Sequence, residues 1–190
     1  PEDEEAFRNL LGTGENFGAH LTYIKQYEKR GIADAFLLGE DFIAGDRVCL
    51  ALGDNIFFGG GMRKKLLEAR DSTAGATVFG CWMDDPRPFG VVEFDESGRV
   101  ISIEEKPQEP KSNYIIPGLY FYDSRVCEIA KHVEPSARGE LEITAVNNAY
   151  LELDDLHVVA LDKEVTWFDT GNANTLLGAA CAIREFKLSS

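Results

Sequence analysis

Along the chain, segments with the hydrophobic pattern of strands alternate with segments that have the hydrophobic pattern of helices. Residues 47–52 and 76–82 are almost continuously apolar, the pattern of strands that are covered on both faces in a parallel sheet. Residues 32–42 and 62–72 carry apolar side chains at helical spacing instead. The other predicted strands are 20–24, 90–94, 100–104, 118–122, 156–161 and 165–168, and the other predicted helices are 1–11, 125–132, 140–151 and 174–186. Because neither a repeat nor a low-complexity linker interrupts them, we expect one α/β domain over residues 1–190, with a Rossmann-like mixed, mostly parallel sheet flanked by helices.

Composition and charge exclude several classes of function. The 33 acidic and 19 basic residues leave a formal net charge of −14, which repels nucleic acids and anionic lipid. No apolar run approaches the roughly 20 residues that a membrane-spanning helix needs. The four cysteines are far apart and form no CxxC pair, which favours a reducing, cytoplasmic setting. A small anion remains an acceptable ligand where a metal ion or backbone amides screen its charge.

Two carboxylates directly follow apolar strands. Asp54 comes after the run 48–52, and Asp169 comes after the run 165–168. In open α/β sheets ligands bind beyond the carboxyl ends of the strands, and two converging carboxylates suit Mg²⁺. Each aspartate could equally cap a following helix, and position alone leaves both interpretations open.

Three further motifs carry candidate chemistry of different strength. Glu105 and Lys106 directly follow the predicted strand 100–104, where they form either a polar ligand site or a salt bridge at the rim. The glycines 59–61 lack a phosphate-loop pattern and indicate a turn that enters a helix. Asp84 and Asp85 could be the acidic pair of a metal-dependent glycosyltransferase, but the prolines after them favour an exposed turn.

Six motifs together resemble the sugar-1-phosphate nucleotidyltransferase family, and most closely its thymidylyltransferase branch. In family order, they are Leu52-Gly53-Asp54-Asn55-Ile56-Phe57-Phe58-Gly59, Phe89-Gly90-Val91-Val92-Glu93-Phe94, Glu104-Glu105-Lys106-Pro107, Gly118-Leu119-Tyr120-Phe121-Tyr122-Asp123, Ser136-Ala137-Arg138-Gly139-Glu140-Leu141-Glu142-Ile143-Thr144 and Trp167-Phe168-Asp169-Thr170-Gly171. One such motif is weak evidence, whereas six in register over nearly the whole chain are specific.

The resemblance implies a nucleotidyltransferase fold and the transfer of dTMP from dTTP to glucose 1-phosphate with release of pyrophosphate. It implies that Asp54 and Asp169 are Mg²⁺ ligands and that both act in catalysis together with Lys106. The implied sugar-phosphate residues are Asn55, Gly90, Glu105, Lys106 and Ile116, and Gln26 and Gly31 match the pair that reads the thymine ring. Lys106 would neutralise the attacking phosphate, and Glu105 would accept hydrogen bonds from sugar hydroxyls.

The sequence departs from the family pattern in two places. Asp34 stands where family members usually carry Gln, which leaves the choice between dTTP and UTP open. The family's first strand, its GxGTRL triphosphate loop and a downstream Lys have no counterpart, so the resemblance implies an N-terminally truncated domain. We therefore expect the 190-residue chain to be catalytically incomplete by itself, and we expect a homo-oligomer or partner at the sheet edge left open. The competing hypothesis is a non-catalytic module of the same fold that binds a sugar phosphate or a nucleotide sugar.

Overall fold

The computed structural model describes residues 2–72, 74–162 and 164–189. The helices are α1 Glu4–Leu11, α2 Asp34–Leu38, α3 Glu40–Ile43, α4 Met62–Asp71, α5 Val126–Lys131, α6 Ile143–Glu152 and α7 Ala173–Ser189, with a short 3₁₀ turn at Glu15–Phe17. The strands are β1 Val48–Ala51, β2 Asn55–Gly59, β3 Ala76–Trp82, β4 Gly90–Phe94, β5 Val100–Glu105, β6 Tyr114–Ile115, β7 Leu119–Tyr122, β8 Leu156–Ala160 and β9 Val165–Asp169. Within these ranges, no helix combines the length and apolarity needed to cross a bilayer.

The expectation of a mostly parallel sheet is wrong. Among the described strands only β3 and β8 pair in parallel, and the main sheet otherwise runs antiparallel in the order β1-β7-β3-β6-β4-β5. Strands β1 and β3 do run in the same direction, as helix α4 between them predicts, because both pair antiparallel with β7. The alternation of strands and helices predicts the relative directions of strands β1 and β3. It does not predict that β7, which follows the β4–β5 hairpin in the chain, lies between them in the sheet.

Three local expectations also differ from the structure. Residues 20–24 form no strand, and Leu21 and Ile24 are exposed, because an alternating segment becomes a strand only where a partner strand is available. The predicted helix 32–42 divides into α2 and α3 at Gly39, a residue that weakens helices. On β1, Cys49 and Ala51 are exposed, so this strand is not covered on both faces.

The main core lies between the sheet and helices α2, α5 and α6. Helix α6 buries Ile143, Val146 and Tyr150, spaced at three and four residues as one helix face requires. The Tyr122 ring of β7 packs between Phe36 at 5.4 Å and Tyr150 at 5.5 Å, measured between ring centroids. Each such side chain contributes about 1.5–3 kcal/mol when fully buried. This packing fixes α6 so that its first turn lies beside the end of β5.

Strands β2 and β9 form a separate antiparallel ribbon. Its register pairs Asn55 with Asp169 at one end and Gly59 with Val165 at the other. The sequence did not predict β2, since its five residues stand between glycines and directly follow the turn after β1. The ribbon brings the segments around Asp54 and Asp169 side by side.

Candidate active site

A cavity of about 210 Å³ lies where the ribbon, the β4–β5 hairpin and the first turns of α6 meet. Seven residues singled out from the sequence line it: Asp54, Asn55, Gly90, Glu105, Lys106, Ile116 and Asp169. They come from positions up to 115 residues apart in the chain, between Asp54 and Asp169. The fold thus brings these residues, which belong to separate sequence motifs, to the wall of one cavity.

Asp54 and Asp169 converge at Gly171. A Cβ atom added to Gly171 would lie 3.1 Å from Asp169 Oδ1 and 3.2 Å from Asp54 Oδ2. The two carboxylates therefore face the same small space, which only a residue without a side chain leaves free. The backbone holds this arrangement, since Thr170 donates from its N–H and its hydroxyl to the Asp54 carbonyl, at 2.7 and 2.8 Å.

Helix capping explains neither aspartate. Asp54 precedes strand β2 rather than a helix. Ahead of α7 the capping side chain is that of Asn172, whose Oδ1 accepts from the N–H groups of Asn174 and Thr175 at 3.0 Å each. Asp169 Oδ1 accepts instead from the Gly171 N–H at 2.9 Å.

The opposite wall of the cavity is built around Glu105. Its Oε2 accepts a hydrogen bond of 2.5 Å from the Thr144 hydroxyl at the start of α6. Its Oε1 lies 3.5 Å from Arg138 Nη2 and 3.9 Å from Lys106 Nζ. The Thr144 hydroxyl holds the Glu105 carboxylate, and the contact with Lys106 is long. A salt bridge at the rim therefore does not by itself explain Glu105.

Gly90 pairs with Glu105 in the β4–β5 hairpin and leaves room for this wall. A Cβ at Gly90 would lie 3.1 Å from Thr144 Oγ1 and 3.4 Å from Glu105 Oε2, so a side chain would crowd their hydrogen bond. The Gly90 carbonyl accepts from the Ile116 N–H at 2.8 Å, which joins the hairpin to the segment that enters β7.

Lys106 adopts a backbone conformation that is costly for its residue type. Its φ is 47°, in the left-handed region, where a residue other than glycine loses about 1–2 kcal/mol. The Lys106 N–H donates to the Phe89 carbonyl at 3.0 Å, and 47% of its side chain is exposed at the mouth of the cavity. Strain of this kind is found preferentially where function requires it.

Two polar groups lie deeper in the cavity wall. Burial and the negative charge of Glu105 raise the pKa of Tyr120 well above its ordinary value, so this phenol stays neutral. Asn147 is 1% exposed, and its Oδ1 accepts from the Tyr122 hydroxyl at 2.6 Å, while its Nδ2 has no hydrogen-bond partner in the described chain.

Gln26 and Gly31 contact each other but do not line this cavity. Gln26 Nε2 donates to the Gly31 carbonyl at 3.2 Å and to Asp34 Oδ2 at 2.9 Å. Gly31 has φ of 99° and abuts the backbone of Leu141, so a side chain there would collide with it. Ile32, which follows Gly31 in the chain, does line the cavity, so Gly31 lies next to a cavity residue.

Other candidates in the described chain lack comparable chemistry. Asp85 forms a pair with Arg87 in an exposed segment, at 2.7 Å, and Asp84 lies exposed beside it. A second hollow of about 310 Å³ lies beside β1, but its Arg47 already donates to the carbonyls of Arg70 and Ser72. No group of three or more potential metal-binding side chains occurs within the described ranges, which leaves the two-carboxylate arrangement at Gly171.

Comparison with known families identifies the fold around this cavity. The model of the nucleotidyl transferase family matches residues 1–185. The chain belongs to this family.

Relatives of this nucleotidyl transferase are identical to it at about half of the aligned positions. A glucose-1-phosphate thymidylyltransferase of Neisseria gonorrhoeae is 50% identical over 184 residues, covering 97% of this chain and 64% of the relative. One of Mycolicibacterium smegmatis is 48% identical over 188 residues, covering 99% of this chain and 65% of the relative. The chain therefore spans a little under two thirds of the length of these relatives.

Solved structures agree on the fold. A crystal structure described as a glucose-1-phosphate thymidylyltransferase of Bacillus anthracis, in complex with sucrose, superposes with a TM-score of 0.84 at 41% identity, covering 95% of this chain and 72% of that one. A UDP-glucose pyrophosphorylase complexed with UDP-glucose gives 0.72 at 18% identity, which supports the fold alone. The expected nucleotidyltransferase fold is confirmed, although its sheet is not mostly parallel in the described residues.

In this nucleotidyl transferase, two residues that line the cavity and one beside it had no role predicted from the sequence. Thr144 and Arg138 contact Glu105, and Trp167 donates from Nε1 to Asn55 Oδ1 at 2.7 Å. All three stand inside motifs that carry the family resemblance. Their contacts join residues 33 to 112 positions apart, so local spacing gives no signal for them.

Proposed function

We propose that this chain contains the sugar-phosphate half of an enzyme that transfers dTMP from dTTP to glucose 1-phosphate and releases pyrophosphate. Support comes from the relatives that bear the name glucose-1-phosphate thymidylyltransferase and from the cavity. The observation that carries the proposal is that Asp54 and Asp169 converge at Gly171 in the same cavity that holds Glu105 and Lys106.

The donor set at Gly171 fits Mg²⁺. This ion prefers oxygen ligands and is usually held by one or two carboxylates together with substrate phosphates and water. Asp54 and Asp169 would hold it, since an oxygen of each carboxylate lies beside the space that Gly171 leaves open. When bound, Mg²⁺ would screen the negative charges of two anionic substrates that have to approach one another.

Lys106 and Glu105 would bind opposite ends of glucose 1-phosphate. The Lys106 ammonium lies at the mouth and would pair with the phosphate, holding its oxygen in line for attack on the nucleotide. Glu105, fixed by Thr144, would accept hydrogen bonds from sugar hydroxyls. Gly90 and Ile116 would let the sugar approach the backbone, and Asn55, which donates to Asp54, would contact the sugar phosphate beside it.

Gln26 and Gly31 would read the nucleobase at the entrance. Both Nε2 hydrogens of Gln26 face acceptors, on Gly31 and Asp34, so its Oε1 remains available to accept from a base N–H. Thymine and uracil both carry such a group, and we propose dTTP as the nucleotide because the relatives are thymidylyltransferases.

The test is a pyrophosphate-release assay with dTTP, glucose 1-phosphate and Mg²⁺. It compares the 190-residue chain with a form extended upstream to include a GxGTRL loop, which would supply converging N–H groups for the triphosphate. We expect turnover by the extended form and a rate at least about 100-fold lower for the 190 residues alone. An extended form that binds glucose 1-phosphate but releases no pyrophosphate would favour the non-catalytic binding module.

A homo-oligomer remains a prediction. Strand β1 pairs only with β7 within the described ranges, and such an edge invites another strand. Light scattering on the purified chain checks this, since a monomer over the micromolar range would contradict it.

A further inference from the structure

Asp34 is a buried carboxylate beside the residues proposed for the base. It is the first residue of α2, is 2% exposed, and stands where family members usually carry Gln. Its Oδ2 accepts from Gln26 Nε2 at 2.9 Å. Its Oδ1 lies 3.4 Å from Arg30 Nη1 and has no hydrogen-bond partner in the described chain. Burial of a carboxylate is costly, so its contact with Gln26 calls for an explanation.

The backbone on both sides of Asp34 is fastened to the folded region. Just before it, the Ala33 N–H donates to the Leu141 carbonyl at 3.1 Å, and both of these residues are buried. Just after it, Phe36 is 1% exposed and packs edge-on against the ring of Tyr122. The Asp34 carboxylate is therefore presented from a rigid part of the molecule.

The neighbours of Gln26 fix how its side-chain amide is turned. Nε2 faces two groups that can only accept, the Gly31 carbonyl at 3.2 Å and the Asp34 carboxylate at 2.9 Å. Rotation by 180° would set Oε1 against both acceptors and lose both hydrogen bonds. The carboxylate contributes more to this preference than the carbonyl, because a hydrogen bond to an ionised acceptor is about twice as strong as a neutral one.

We propose that Asp34 is a positioning residue for Gln26, and that it makes the base site selective for a pyrimidine with an N–H at N3. Thymine and uracil carry that N–H, which the outward-facing Oε1 accepts. Cytosine has an unprotonated acceptor nitrogen at N3, which the same Oε1 repels. Asp34 acts only through Gln26, since its own side chain is buried. The inference rests on the proposed function, because it takes Gln26 to read the base.

The experiment measures binding of thymidine and of 5-methyl-2′-deoxycytidine to the 190-residue chain by NMR titration. The two nucleosides share the sugar and the 5-methyl group, differ at N3 and the adjacent C4 substituent, and need no triphosphate loop. We expect the unmodified chain to bind thymidine about 5- to 10-fold more tightly.

Asp34→Asn keeps the shape of the side chain and replaces one acceptor oxygen by a donor. Gln26 can then turn over and offer Nε2 to the base. The preference for thymidine should fall to about 2-fold or less, chiefly because 5-methyldeoxycytidine binds more tightly than it does to the unmodified chain. This gain is the decisive part, since a variant that is merely less stable loses binding of both nucleosides.

Asp41→Asn is the matched control. It removes the same charge at an exposed position of α3 and should keep the preference for thymidine. An undiminished preference in Asp34→Asn would overturn the proposal, and so would an equal loss of both nucleosides.

Gln26→Ala separates this inference from the proposed function. It should remove the preference, and Asp34→Asn should have no further effect in that background. If Gln26→Ala removes the preference and Asp34→Asn does not, this inference alone fails. If the preference survives in Gln26→Ala, or if the unmodified chain binds neither nucleoside, the base site of the proposed function fails and this inference fails with it.

The side-chain amide of Gln26 gives a readout without any nucleoside. Gln26 and Gln108 are the two glutamines of the chain, so Gln26→Ala assigns the Nε2 signals in a ¹⁵N-correlated spectrum. Asp34→Asn should shift these signals and Asp41→Asn should not. Signals that stay in place in Asp34→Asn would contradict the hydrogen bond on which the proposal depends.

Discussion

Residues 2–31 and the rest of the described chain are built very differently. Helix α1 has no buried residue, and Phe7, Leu10 and Tyr27 expose 55%, 76% and 80% of their surface. Around the cavity, by contrast, Ile116 and Trp167 are each 7% exposed, and Glu105 and Asn55 have hydrogen-bond partners within the protein. The residues proposed for the base lie in the first region, and those proposed for the sugar phosphate and metal lie in the second.

The region proposed for the sugar phosphate and metal is therefore more preorganised in this chain than the region proposed for the base. The cavity residues lie on a helix, a hairpin and a ribbon that each bury apolar side chains, so their geometry follows from burial. Gln26 is exposed, and its described contacts hold it only to Gly31 and to Asp34, the first residue of α2, both within eight residues of it in the chain. We therefore expect sugar-phosphate recognition to depend less than base recognition on anything beyond these 190 residues.

The largest difference between the two regions is expected in amide hydrogen exchange. Amides of β3 and β7 should be protected by several orders of magnitude relative to those of α1, which has no buried residue. Mass spectrometry of peptic peptides measures both regions in one experiment. Equal protection of α1 and β3 would mean that the first region packs on something and that the contrast is wrong.

Lys106→Ala should affect the two substrates unequally. In an active, upstream-extended form it removes a charge-assisted contact to the sugar phosphate, so KM for glucose 1-phosphate should rise about 10- to 100-fold while KM for dTTP changes little.

Gln26→Ala is the matched variant. It should raise KM for dTTP and change KM for glucose 1-phosphate little. Steady-state kinetics with each substrate varied in turn gives both values. An equal loss for both substrates in Lys106→Ala would make Lys106 a structural residue.

Gly90→Ala sharpens the account of the cavity wall. Its Cβ would crowd the Thr144–Glu105 hydrogen bond, and the backbone there does not require positive φ, so we expect about 10-fold weaker glucose 1-phosphate with little loss of stability. Gly178→Ala on α7, where a Cβ meets nothing within 4 Å, is the control and should bind normally. Comparable binding by both variants would show that the wall tolerates a methyl group.

Asp123 offers a contrast within the folded region, at the end of β7 away from the cavity. Burial acts to raise the pKa of Asp123, but hydrogen bonds from Arg125 and Tyr150 outweigh it and lower the pKa to about 2. Because this is below the ordinary value of 3.8, the carboxylate contributes stability above about pH 4 that is lost as pH falls toward about 2.

Asp123→Asn should therefore lower Tm at pH 7 by about 5 °C and flatten the decline of Tm between about pH 4 and pH 2. Calorimetry across that range measures both effects. Glucose 1-phosphate binding at pH 7 should not change, and a parallel loss of binding would argue against the separation of core and site.

The sequence predicted those elements whose pattern is local. Strand β3 has the predicted bounds, and the β4–β5 hairpin and helix α4 differ from prediction by at most one residue. The strand at 20–24 was wrong because alternation reports a capacity to pair and not a partner. The parallel sheet was wrong because β7, which is distant in sequence, lies between β1 and β3 and runs antiparallel to both.

The candidate site divides along the same line. Asp54 and Asp169 could be singled out because a carboxylate directly after an apolar strand is poorly explained by packing. The roles of Thr144, Arg138 and Trp167 could not, since each depends on a contact made across the fold. By residue type alone, Thr144 could simply start a helix, Arg138 could lie in an exposed loop, and Trp167 could be a core aromatic residue.

The most direct test of the central claim is ³¹P NMR titration of glucose 1-phosphate with the 190-residue chain, with and without Mg²⁺. The account predicts weak binding that Mg²⁺ strengthens, and predicts that Asp54→Asn combined with Asp169→Asn abolishes the Mg²⁺ effect while metal-free binding persists. A Mg²⁺ effect of the same size in the double variant would contradict it, because the ion would then be held elsewhere than at Gly171.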